Sequence, residues 1–563
     1  MPPVSSNTRP GSEVSHSIIG PPAQQVLNNQ ELVSLIVDEV HGRVNRWSGT
    51  NKKVLATLAT LNKAFFHATT ETFWRHVPSL SPFLRLLPSF PKGDRAESEL
   101  TMDKLAGDPW SRFLIYHRKV VRLELSDDKE IGKVMPNHWF FSLFHHPTRP
   151  VPLFPKLSEL VISSVAGLNA AIPFHLASSL QRVTVNNITK KGSYEGQSGI
   201  IAMSLMTSLA CASHALEELT MLSPVTPPMT ALFPKYGALS FLYLSLPSPT
   251  PTETFASIGT LPNLRLLKLT SQGLTGTPTA PLLGQHLKKY HPAQGTSNIH
   301  YLVVEGDASF IYWATLFFAS PRLRTYRASI PKADNRAPQN VLLVPHIVDL
   351  LGQQCPATVD FSIQSEALWT DHDTQTQLAR WVNEPTFQPP TTVFQSFAKL
   401  KNLQAFTFRN IPDMKDISFL LIEPLPLTSQ PQHALILPGL DILRDISVNQ
   451  PRLQRLIVTL DVSTIPAPSN DIMPAIPGHP LHQLAVLPKN RAEPFEVSEL
   501  IVLATYLDRL FPNLTDITTR FRPPREPNST TVSGYTLWRD VDPLLKSFQA
   551  MRKQYAAVAL APT

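Results

Sequence analysis

The stretch LPNLRLLKL, residues 261–269, carries the pattern on which the fold turns. Its last six residues are apolar at positions one, four and six, namely Leu264, Leu267 and Leu269, and Pro262-Asn263 leads into them. The same phrase reads VVRLEL from residue 120, LSELVI from 157, LQRVTV from 180, LEELTM from 216 and LSFLYL from 239. It continues as IHYLVV from 299, LRTYRA from 323, TVDFSI from 358, LQAFTF from 403, LQRLIV from 453 and LTDITT from 514. Many copies follow a proline entry, as in FPKL, LPNL, SPRL, QPRL and FPNL.

Alternation over the last four residues of the phrase makes a short strand with one buried face, and the first apolar residue turns the chain into the core. A strand this short cannot bury its face alone, so the copies must stack as a curved parallel sheet. Spacings run near 23–25 or 35–37 residues at first and widen to 45 or more toward the C-terminus. Between the phrases, MSLMTSLACASHAL (203–216), IYWATLFFASP (311–321), VPHIVDLLGQQ (344–354) and SELIVLATYLDRLFP (498–512) have the length and spacing of helices for the outer face. Proline-dense pieces such as PSPTPTET, EPLPLTSQPQ and IPAPSNDIMPAIPGHP read as excursions or loops. The stretch GYTLWRDVDPLLKSFQAMRKQYAAV (534–558) reads as a closing amphipathic helix with Trp538 turned inward. The array resembles a leucine-rich-repeat solenoid of the degenerate fungal type, without the asparagine ladder of regular repeats. A conventional sheet of scattered βα units is the competing arrangement.

The front of the chain has another texture. Residues 1–22 are polar, rich in Ser and Pro, and predicted to be disordered. Asn28 with Glu31 has the form of a helix cap, after which Leu32, Leu35, Ile36 and Val40 share a face. A second helix is expected after the cap candidate Asn51, with Val54, Leu55, Leu58 and Leu61 as its stripe. A third short helix is expected at about 69–74, stopping before Pro78. Three helices of this size make a core too small for comfortable independent stability, so the unit is expected either to pack on the rest of the chain or to be completed by a partner.

These residues resemble the F-box found in large families of fungal proteins. The matching words are Leu27, Glu31-Leu32, Leu35-Ile36, then Leu58-Ala59-Thr60-Leu61-Asn62-Lys63-Ala64-Phe65, then Phe73-Trp74-Arg75. Asn28 stands where that family usually has Pro, and Asn62 where it usually has Cys. The resemblance implies docking on the Skp-family adaptor, and through it a cullin, by Leu27, Leu32, Leu35, Ile36, Leu58, Leu61 and Lys63. Trp74 is expected to pack within the molecule instead.

The expected class is therefore α/β: a tail (1–22), a three-helix F-box-like unit (23–90), an irregular leucine-rich-repeat-like solenoid (91–540) and a capping helix and tail (541–563). In such an array positions three and five of each phrase face the open concave side. Outer copies supply mixed charge there, as with Arg122 and Glu124 or Thr325 and Arg327, while the middle copies bring Phe241, Tyr243, Leu266, Tyr301 and Val303 together. That apolar cluster is the expected client site. The implied function is a non-catalytic substrate receptor of an SCF-type cullin-RING ubiquitin ligase; a repeat scaffold unconnected with ubiquitin is the alternative.

Other classes find little support. Net charge is +7 over 563 residues with acids and bases interleaved, so no nucleic-acid footprint is expected. Cys211 and Cys355 are the two cysteines and lack His neighbours at ligand spacing, which argues against a disulfide framework or a zinc site. The longest apolar run, FIYWATLFFA (310–319), is half a membrane span. With no apolar leader at the front, a cytoplasmic or nuclear address is expected and the sequons at Asn187, Asn513 and Asn528 carry little meaning. The GQSG at 196–199, the His145-His146 pair and the Asp371-His372-Asp373 loop lack the partners of a catalytic or metal centre, so no enzyme activity, cofactor or metal is expected.

Overall fold

The computed structural model describes residues 29–43, 49–87, 110–125, 148–163, 178–186, 195–212, 214–247, 250–272, 298–331, 339–365, 397, 399–409, 439–460, 462, 465, 478–488, 495–517 and 532–559. The tail 1–22, Leu27, Asn28, His145-His146, Asn187, the 371–373 loop and Asn528 lie outside them. The chain divides into two compact units, Met1–Val161 and Ile162–Thr563. Among the described residues, fourteen strands follow one another in a sheet in strict chain order, and each described strand pairing is parallel. The protein is thus α/β.

The first unit opens with α1 (Gln30–Arg43), α2 (Gly49–Ala59) and α3 (Lys63–Arg75). The cap of α1 is Asn29, one residue later than Asn28: its Oδ1 accepts the Glu31 and Leu32 N–H groups at 3.0 and 3.2 Å. Asn51 lies inside α2 instead of capping it. Asn62 caps α3, accepting the Phe65 N–H at 2.9 Å, so this helix starts six residues ahead of the predicted 69. The residue that departs from the F-box pattern therefore has a local use, since its amide satisfies an orphan donor of the first turn.

Directly after α3 come β1 (His76–Val77), α4 (Ser81–Leu84), α5 (Ser111–Tyr116), a 3-10 turn at His117–Lys119, β2 (Arg122–Leu125) and β3 (Glu159–Ile162). Strand β1 follows the third helix inside the 23–90 unit, expected to hold helices alone, and it pairs with β2, His76 opposite Arg122. It carries only Val77 as a buried residue, too short to show the phrase. Trp74 packs inside this unit, stacked on Tyr116 at 4.5 Å and 4.7 Å from Phe83. Phe83, Phe113 and Phe154 complete an aromatic core at 4.9–5.5 Å separations.

The second unit runs β4 (Arg182–Val185), α6 (Glu195–Ala212), β5 (Glu218–Pro224), α7 (Pro227–Thr230), β6 (Phe241–Pro247), α8 (Thr252–Gly259) and β7 (Leu266–Gln272). It continues with β8 (Tyr301–Glu305), α9 (Ala308–Phe318), β9 (Thr325–Ile330), α10 (Gln339–Gln354), β10 (Asp360–Ser365) and β11 (Ala405–Arg409). It ends with α11 (Ile442–Asn449), β12 (Arg455–Leu460), β13 (Gln483–Pro488), α12 (Val497–Leu510), β14 (Asp516–Ile517) and α13 (Val532–Ala559). The GQSG sequence lies in the first turn of α6.

Positions one, four and six of the phrase form the core. Leu239, Leu242 and Leu244 are fully buried, as are Leu264, Leu267 and Leu269, and Leu323, Tyr326 and Ala328 stand in the same places. A copy that the sequence reading passed over, LHQLAV at 481–486, supplies β13 and buries Leu481, Leu484 and Val486. Its entry is Gly-His-Pro-Leu, with proline touching the leucine instead of standing two residues before it. The apparent gap between the phrases at 453 and 514 therefore splits into steps of 28 and 33 residues.

Two backbone devices recur at the corners of the array. The first residue of the phrase donates its N–H to the residue before the entry proline, as in Leu323 to Ser320 at 3.0 Å, Thr358 to Cys355 at 3.1 Å and Leu514 to Phe511 at 3.0 Å. Proline suits the second place of such a turn because its φ is preset, which gives the entry prolines a structural use. Position two then lends its carbonyl to two donors of the next strand: His300 O accepts Arg324 N–H at 2.9 Å and Thr325 N–H at 3.0 Å.

Side chains add a sparse asparagine ladder of their own at the entry corners. Asn263 donates to Gly237 O at 2.8 Å, Asn298 to Pro262 O at 2.7 Å and Asn402 to Pro356 O at 2.8 Å. These asparagines immediately precede the phrase, where they join one corner to the last. The closing helix α13 buries Trp538, Val541 and Leu545. Its Gln549 donates to Leu514 O at 2.7 Å, and Arg552 binds Asp508 Oδ1 and Pro512 O, both at 2.7 Å, so one of its basic residues is structural.

Candidate functional site

The three N-terminal helices enclose Val33, Val37, Leu55, Phe65 and Ala68, with Leu58 and Ala64 partly buried against them. Thr72 Oγ1 donates to Asp38 Oδ1 at 3.1 Å, tying α3 to α1. The face of α1 that points inward is thus Val33 and Val37, and the predicted stripe lies on the outside. Leu32 is 40% exposed, Leu35 64% and Ile36 39%. On α2 and its exit, Val54 and Leu61 are exposed and Leu58 is half-buried; Lys63, Phe66 and Phe73 are exposed on α3. Both sets repeat every three or four residues and both are apolar, so periodicity alone could not say which faces in.

In the second unit the strands are added in chain order, and right-handed crossovers then place the connections on one face of the sheet. Parallel sheets are usually covered on both faces. Here the odd positions stay accessible: Phe241, Tyr243, Leu266 and Val303 are half-buried and Tyr301 is 47% exposed. The register brings them together. Phe241, Leu266, Tyr301 and Thr325 are direct partners on β6–β9, and Tyr243, Lys268, Val303 and Arg327 form the next row. Lys268 stands within this cluster, its Nζ 4.2 Å from the Tyr243 ring centroid, so the cluster is aromatic and cationic rather than apolar alone. Arg327 at its edge pairs with Asp360 at 2.9 Å.

No family model and no curated protein matches the chain.

Among the described residues, no group of three or more His, Cys, Asp or Glu could hold a metal ion. No helix among them is long and apolar enough to cross a membrane. Cys355 is buried, and its thiol is pushed up to about 12 by that burial, so it stays protonated at neutral pH.

Sequence reasoning missed the second position of the phrase. Arg265, His300 and Arg324 occupy it on three successive strands, with Arg265 and Arg324 exposed. The signal was present, since those residues directly precede the partners Leu266, Tyr301 and Thr325, but it is legible only once the strands are aligned.

Proposed function

We propose that this chain is the non-catalytic substrate receptor of an SCF-type cullin-RING ubiquitin ligase, with α1–α3 as an F-box docking on the Skp-family adaptor. The second unit then acts as a leucine-rich-repeat-like solenoid whose open sheet face holds a client protein. The observation that carries the reading is the exposed apolar set Leu32, Leu35, Ile36 and Leu61 around a helical core of five fully buried side chains. Burying one large aliphatic side chain contributes roughly 1.5–3 kcal/mol, whereas association costs about 4–15 kcal/mol. One exposed leucine would not hold a partner; the exposed parts of Leu32, Leu35 and Ile36 on α1 and of Leu61 at the exit of α2 amount to about two whole side chains, roughly 3–6 kcal/mol, which reaches the lower end of that cost. The polypeptide itself performs no chemistry in this reading. It raises the effective concentration of a client lysine near the charged transfer enzyme.

The test is capture of purified Skp-family adaptor by the full chain. Wild type should retain the adaptor, and Leu35→Asp with Leu61→Asp should lose it without a change in circular dichroism, since both side chains face solvent. If wild type captures no adaptor, the scaffold unconnected with ubiquitin replaces this reading.

A further inference from the structure

We infer that the surface of β7–β9 receives a short, extended peptide segment carrying two or three Asp or Glu residues beside an apolar one. The inference rests on the reading that the open sheet face is the client site, and it specifies the client's chemistry.

Charge is segregated on these three strands. They and their entry turns carry Arg265, Lys268, Arg322, Arg324 and Arg327 against Glu305 and Asp307. Asp307 is committed to capping α9, where it accepts the Phe310 N–H at 2.7 Å. Arg327 is paired with Asp360. Arg322 donates to Asn298 Oδ1, and Lys268 lies over Tyr243. Among the described residues no carboxylate comes within ion-pair distance of Arg265, Lys268, Arg322 or Arg324.

Geometry sets the length of the occupant. Neighbouring strands stand about 4.8 Å apart, so Arg265 and Arg324 are separated by about 10 Å, which three residues of extended chain span at about 3.3 Å each. Leu266 and Tyr301 lie beside the cations and offer an apolar seat to the residue next to the acidic ones. The strip is bounded by carboxylates: Glu217 and Glu218 at β5, and Asp360 on β10. A nucleic-acid strand crossing the sheet would run its phosphates onto those acids, whereas a short acidic peptide ends before reaching them.

The experiment measures fluorescence anisotropy of labelled probes with the full chain. The probes are the peptide GSFEDELSG, its amide counterpart GSFQNQLSG and an oligothymidylate of twelve nucleotides. The acidic peptide should bind at least about tenfold more tightly than the amide form, and rising salt should weaken it. Arg265→Glu with Arg324→Glu should weaken it about tenfold or more. Lys401→Glu, an exposed cation at the entry of β11, should leave binding unchanged. Equal binding of the two peptides, no binding of either, preference for the oligonucleotide, or an equal effect of Lys401→Glu overturns the inference. Because probe binding is read on the chain alone, it can succeed where adaptor capture fails, and fail where adaptor capture succeeds.

Discussion

Lys268 Nζ stands 4.2 Å from the centroid of the Tyr243 ring, one strand away on the open face of the sheet. A cation over an aromatic ring at a partly exposed site contributes about 0.5–1 kcal/mol. A double-mutant cycle of Lys268→Met and Tyr243→Leu, read from unfolding midpoints, should return a coupling of that size. Strictly additive effects would dissolve the pair.

Asn298 joins three corners, since its amide donates to Pro262 O at 2.7 Å while its Oδ1 accepts from Arg322. Asn263 makes the corresponding donation to Gly237 O. With solvent able to replace part of each bond, Asn298→Ala should cost about 0.5–1.5 kcal/mol. It should exceed Asn263→Ala in thermal denaturation, because two corner contacts go at once.

Tyr326 takes the fourth position of its phrase although it carries a hydroxyl, and it is fully buried. The hydroxyl lies 2.8 Å from Thr315 Oγ1, which itself donates to Ile311 O at 2.7 Å. Tyr326→Phe should cost about 1 kcal/mol, and Tyr326→Ala about 3–5 kcal/mol through the cavity it leaves. Burial pushes the phenol well above the ordinary tyrosine range. The folded state therefore favours the neutral form, and stability should fall as pH climbs past about 10. Absorbance of this phenolate should appear only together with unfolding.

His479 is buried with both ring nitrogens engaged, Nε2 with Gln450 O at 3.1 Å and Nδ1 with the Leu481 N–H at 3.2 Å. Nδ1 must be the acceptor, so a second proton would displace the Leu481 amide at the entry to β13. Burial lowers its pKa, against the opposing pull of the Gln450 carbonyl. His117 in the first unit is lowered by burial as well. A depressed histidine contributes stability above the unfolded value of about 6.5 that is lost as pH falls toward the folded value. The unfolding midpoint should therefore drop between pH 7.5 and 5.5, and His479→Gln should flatten that slope. An unchanged slope in the variant would reject this role.

Much of the second unit was legible because burial in a parallel array repeats at fixed places in the chain. Leu264, Leu267 and Leu269 announce a strand by themselves, and the entry proline marks the turn before it. Strand β13 escaped because His479-Pro480-Leu481 compresses that entry by one residue, and β1 because two residues leave no period to count. The asparagine ladder escaped for another reason. Asn263 and Asn298 bond carbonyls 26 and 36 residues earlier, so their role exists only across neighbouring turns of the array.

By itself the sequence determined the strand phrase, its buried positions and the α/β class, since one-in-two alternation is a local property of the chain. Tertiary structure alone decided which apolar face of α1 is inward, Val33 and Val37 rather than Leu32, Leu35 and Ile36, because the partner helices choose between two equally greasy stripes. It also decided that Arg265, His300 and Arg324 stand in a row. Residues 24 to 35 apart in the chain become neighbours only when hydrogen bonds set the strands in register.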